Sequence, residues 1–157
     1  MSCGLILAAS LLFSDPAVVA TTSVPVAAEA PPSVAGEPLF ADLVERSTGL
    51  KAIVEAWVAS GAAEGAGFFG GADYRRFKAE TLDLAARDMQ GHENLKARGV
   101  DGDLKCILRG ISEDLPKRLS AVESAGDAAA RKLALEELAY LLNDNVEVIT
   151  APPIPEV

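Results

Sequence analysis

Few residues in this 157-residue chain could do chemistry: there is one histidine, and there are two cysteines and one tryptophan. His92 follows Asp88 by four positions, so on a helix the two side chains leave the same face. An Asp/His pair at that spacing binds a metal or tunes a proton donor. A metal needs further ligands that the pair does not supply, so the plainer expectation is a half-buried histidine hydrogen-bonded to a local carboxylate, with no metal. Covalent haem needs Cys-x-x-Cys-His, which is absent. Met89 lies on the same helix face as His92, so the two cannot clamp opposite sides of one iron, and the other methionine is Met1. No cofactor is expected.

Cys106 stands among Leu104, Ile107 and Leu108 and reads as a small buried hydrophobe, with intermolecular pairing or a redox role as the alternative. Gly61 to Gly71, GAAEGAGFFGG, holds five glycines but lacks both the Lys-Ser/Thr of a phosphate loop and the GxGxxG of a dinucleotide fold. Phe68 and Phe69 in that stretch either fold back on the core as a plug or offer a mobile apolar patch to a partner. There is no HExxH, no CxxC pair and no legible Ser/His/Asp order, and Glu113-Asp114 reads as a solvated helix edge. A non-enzymatic protein is expected. Its candidate partner or ligand contacts are Phe68, Phe69, Asp88, His92 and Cys106.

The elements that must position these residues are helices. Half of the residues are apolar, dominated by Ala, Leu and Val, and Ala and Leu are the strongest helix formers. Phe40, Leu43, Ser47, Leu50, Val54, Trp57 and Val58 recur at helical steps and predict a first helix over 38–60, with Pro38 in its first turn and Trp57 in the core. A second is expected from an Asp73 cap towards Ala97, with Tyr74, Phe77, Thr81, Leu84, Ala85 and Leu95 inward, Gly91 a point where it could split, and Gly99 as its stop. The third starts near Asp101 or Asp103 and carries Leu104, Leu108, Ile111, Leu115, Leu119 and Val122. Its stripe crosses Pro116, which predicts a kink or a break there. The fourth is expected from an Asp127 cap to about Asn143, with Leu135, Leu138, Leu141 and Leu142 inward and Tyr140 bordering the core. The simplest way to bury four stripes together is a small antiparallel all-α bundle over 38–145.

Outside the bundle, Leu5 to Phe13 reads LILAASLLF, the length of a signal-peptide core, and Val18-Val19-Ala20 offers a small-residue cleavage site. Residues 1–20 are therefore expected to be a leader, although no Lys or Arg precedes the apolar run. Residues 21–37 are rich in Pro, Ala and Val, which predicts a disordered linker, and 146–157 close the chain as a proline-rich tail. Cleavage after Ala20 would remove Cys3, leaving Cys106 without an intramolecular partner.

A formal charge of −9, with no block of Lys or Arg, argues against a nucleic-acid partner and against docking on an anionic membrane. The leading expectation is an exported protein, periplasmic or secreted, with a binding or structural role in the cell envelope and a still unidentified protein partner. One alternative is a small-molecule or cofactor carrier with a pocket inside the bundle near His92, Asp88, Cys106 and Tyr74. Another is a cytosolic adaptor or inhibitor whose apolar N-terminus binds its partner.

Overall fold

A computed structural model describes residues 33–100 and 102–152. The expected leader and most of the linker fall outside them. The described residues form four long helices, with no strand: α1 Pro38–Ser60, α2 Ala72–Ala97, α3 Leu104–Ser124 and α4 Ala128–Thr150. Two short 3-10 turns, Ala62–Glu64 and Phe68–Gly70, lie between α1 and α2. Cross-helix pairs fix the directions. Lys78 near the start of α2 meets Glu123 at the end of α3, Glu37 at the start of α1 meets Arg98 at the end of α2, and Arg131 at the start of α4 reaches Ala63 just past the end of α1. Each of these neighbours therefore runs antiparallel. α1 packs extensively on α4 and α2 on α3, while the contact between α1 and α2 is the loosest of the four sides.

The buried stripes follow the sequence closely. Phe40, Leu43, Ser47, Leu50 and Val54 of α1 face Tyr74, Phe77, Thr81, Leu84 and Leu95 of α2, the Leu108 to Val122 stripe of α3, and Leu135, Leu138, Leu142 and Ile149 of α4. Asp127 caps α4 by accepting from Ala130 N at 2.8 Å, and Gly61 ends α1 in the left-handed region at φ 70°. The second helix is not split at Gly91. A Cβ there would stand 3.1 Å from Leu108 Cδ1 and 3.4 Å from Leu43 Cδ1, so this glycine lets α1 and α3 close on α2.

Several expectations change. Helix α4 does not stop near Asn143: Asn143, Asp144 and Asn145 lie inside it, and the expected tail from Val146 is helical as far as Thr150. Tertiary packing overrides the weak local preference of Asn and Asp, because Asn145 and Ile149 continue the buried row and are fully enclosed. Pro116 lies within one continuous helix rather than dividing α3 in two. It sits on the exposed side, where the Ser112 carbonyl that loses its helical donor can turn to solvent. The last residues of the expected linker are also ordered. Val34 is 6% exposed and joins the core, and Glu37 forms a two-pronged pair with Arg98, at 2.7 and 3.0 Å.

Candidate functional site

The five residues singled out from sequence do not form one site. Tyr74 and His92 belong to the same helix but stand eighteen residues apart, about 27 Å along its axis, so a single pocket spanning them is excluded. The structure instead offers a polar knot in the core, an aromatic nest at one end and a groove on one side.

The polar knot joins three helices. Ser47, Asp88 and Asn145 are each fully buried. Asn145 Nδ2 donates to Ser47 Oγ at 3.1 Å and to both Asp88 oxygens, at 3.0 and 3.1 Å. Removal from water pushes the Asp88 carboxyl up from 3.8 to about 7, against the opposing effect of the Asn145 amide. Asn145 Oδ1 is buried and accepts from nothing. Turned over, the amide would present that oxygen to a protonated Asp88, so the same positions serve both states of the carboxyl.

His92 is not the partner of Asp88. Its Nδ1 donates to the Lys105 carbonyl at 2.5 Å, which ties α2 to the start of α3, and its Nε2 lies 3.7 Å from Glu93. Four-residue spacing put Asp88 and His92 on one face, but the core draws Asp88 towards α1 and α4 while His92 turns towards α3. The sequence signal missed here was Asn145. The row 135, 138, 142, 145, 149 keeps the spacing of a buried face, and a polar residue in such a row needs a polar partner. Ser47, in the stripe of α1, and Asp88 of α2 are those partners.

Cys106 is exposed, not buried. The stripe of α3 runs through Leu108, and a residue two positions away points outward on a helix, so the apolar neighbours in sequence were misleading. Tyr140 likewise does not border the core; it is 70% exposed. Among the described residues no group of three or more His, Cys, Asp and Glu side chains stands close enough to hold a metal ion, and no helix is long and apolar enough to cross a membrane.

At the other end of the bundle, Phe68 and Phe69 fold back as a half-buried plug. Phe68 packs edge-on against Trp57 at 5.0 Å, both phenylalanines reach Tyr74 at 5.0 Å, and Phe77 closes on Trp57 at 4.8 Å. Trp57 is half-buried against the core rather than within it. Arg131 of α4 completes the nest, its Cζ 4.8 Å above the Phe69 ring. Nothing in local sequence ties Arg131 to this loop, since it arrives through the antiparallel pairing of α1 and α4.

The groove runs between α1 and α2. One part, of about 350 Å³, is lined by Asp42, Glu45, Arg46, Gly49, Leu50, Ile53 and Glu80. It continues at Ile53 and Glu80 into a second part of about 410 Å³ floored by Trp57 and Phe77, with Asp73 and Arg76 at its edge. Gly49 and Ala56 leave the wall low, and a Cβ at Gly49 would touch nothing within 4 Å. A ring of ion pairs closes the far end: Arg46 meets Asp42 and Asp83 at 2.9 and 3.2 Å, and Arg87 meets the same two carboxylates at 3.1 and 2.9 Å. A second cleft of about 410 Å³ between α1 and α4 is lined by Lys51, Val58, Ala139 and Tyr140, and at Val58 it adjoins a small recess that reaches Lys132 and Leu135.

No protein-family model, no curated protein and no solved structure matches the chain.

Proposed function

We propose that this is a non-enzymatic binding protein of the cell envelope that holds a basic amphipathic helix of a partner protein in the groove between α1 and α2. The observation that carries the reading is the shape and charge of that groove. From Asp42 to Trp57 it extends for about 22 Å, enough for roughly fourteen residues of docked helix. Its floor of Leu50, Ile53, Trp57 and Phe77 suits an apolar stripe, the helix-in-groove mode of recognition. The rim is acidic. Arg46 and Arg76 are already paired with Asp42, Asp83 and Glu80, whereas Glu45 and Asp73 have no ion-pair partner among the described residues. A partner bringing Lys or Arg to those two carboxylates is favoured over an acidic one, and the chain's net charge of −9 steers in the same direction. Action in the envelope rests on the apolar run Leu5–Phe13 and the Pro/Ala-rich stretch that follows it.

Titration with a designed Leu/Lys helical peptide, followed by calorimetry, tests the docking. Binding is expected to weaken as salt rises, and a Leu/Glu peptide of the same length is expected not to bind. Gly49→Trp fills the groove from a position where a side chain meets open space, and is expected to reduce affinity at least about tenfold while leaving the fold intact. Equal affinity in Gly49→Trp, or binding indifferent to salt, would overturn the reading.

A further inference from the structure

The rim of the α1–α2 groove is charged unevenly along its length. At one end, Asp42 and Asp83 are both shared between Arg46 and Arg87, so these four charges cancel. At the middle, Glu80 holds Arg76 at 2.7 Å, and that pair cancels as well. Two carboxylates are left over. Glu45 stands on the α1 wall beside the ring of ion pairs, and Asp73 stands on the α2 wall at the opposite end. Both residues are exposed, and neither has an ion-pair partner among the described residues.

The packing of α1 on α2 sets how far apart they are. The Trp57 ring lies 4.8 Å from that of Phe77 and 6.2 Å from that of Tyr74, the residue after Asp73, so Asp73 is level with Trp57. Glu45 precedes Trp57 by twelve residues of one helix, about 18 Å along its axis. A helix seated in the groove therefore passes about twelve of its own residues between the two carboxylates. Between them it meets the apolar floor of Leu50, Ile53, Trp57 and Phe77 and a Glu80 that is already neutralised.

We infer, building on the docking proposed above, that the groove selects its helix by the placement of two cations. One Lys or Arg lies near each end of the docked stretch, roughly ten to twelve residues apart, on opposite edges of an apolar stripe and with no charge between them. Two cations one turn apart reach at most one of the free carboxylates. The second then lies over Glu80 and Arg76, where it gains nothing. Each contact at an exposed rim is individually weak, so discrimination comes from engaging both carboxylates and not one.

Two end-capped fourteen-residue peptides of identical composition test this, one with its two lysines eleven positions apart and the other with them four apart. Their helix contents are compared by circular dichroism, and each is titrated into the full chain by calorimetry at low salt. The wide pair is expected to bind about threefold more tightly than the narrow pair. Glu45→Gln and Asp73→Asn alter exposed side chains outside the core, and each is expected to weaken the wide peptide by about threefold. In the doubly substituted chain the two peptides are expected to bind alike. If neither peptide binds, or if Gly49→Trp leaves both unaffected, the groove is not the docking site and the inference falls with it. If both bind, lose affinity in Gly49→Trp and yet bind equally well, the groove stands and the inference is overturned. Undiminished binding of the wide peptide to Glu45→Gln and Asp73→Asn would overturn it in the same way.

Discussion

Asp88 is a carboxyl in a place that disfavours its charge, and pH reads that out. In the unfolded chain it titrates near 3.8 and in the folded chain near 7. Between those values the unfolded chain has released the proton and the folded chain retains it, so folding takes up a proton and stability falls as pH rises; above about 7 the loss is complete. The shift corresponds to something on the order of 4 kcal/mol. Asp88→Asn removes the titration, and denaturant unfolding at a series of pH values is expected to show the wild type losing stability relative to the variant across this window. Parallel curves would contradict the assignment. At this scale the sequence was only partly legible. Asp88 and His92 stood out, but their true partners are Asn145, fifty-seven positions away, and the Lys105 carbonyl, thirteen positions away. Helical spacing reveals which residues share a face, not which of two neighbouring helices each will meet.

The helices themselves were nearly all legible, because apolar periodicity and caps are local properties. Pro38, Gly61, Gly99 and Asp127 mark ends the structure keeps. Glycines inside helices are where local reasoning and packing part. Gly49 faces open space, so Gly49→Ala is expected to stabilise by about 1 kcal/mol through helix propensity alone. Gly91→Ala gains the same propensity but pushes a methyl to 3.1 Å from the fully buried Leu108, and a net loss of about 1 kcal/mol is expected. Thermal melting of the pair distinguishes spacing from propensity. Pro116 gives the opposite case. It is exposed within a continuous helix, so Pro116→Ala restores a hydrogen bond without touching the core and is expected to raise stability by about 2 kcal/mol. No change in melting temperature would mean that the helix already accommodates the proline without loss.

For the whole molecule, the boundary that matters is the end of α4. A chain ending at Asn145, where sequence alone placed the limit of the bundle, lacks Ile149, which is fully buried against the core. Its removal is expected to cost about 3 kcal/mol or more, measured by urea unfolding of the shortened chain against the full one. Asn145 could be mistaken for a terminus because Asn and Asp often end helices; only the partner helices reveal that this one is enclosed. The knot it forms also has a consequence for the order of events at the ribosome. Ser47 and Asp88 are made early, but the amide that satisfies them belongs to the helix synthesised after α1, α2 and α3. Until α4 is in place, closing the other three helices would bury the Asp88 carboxyl without the amide that satisfies it, so a chain that stops short of Asn145 is expected not to close into the bundle.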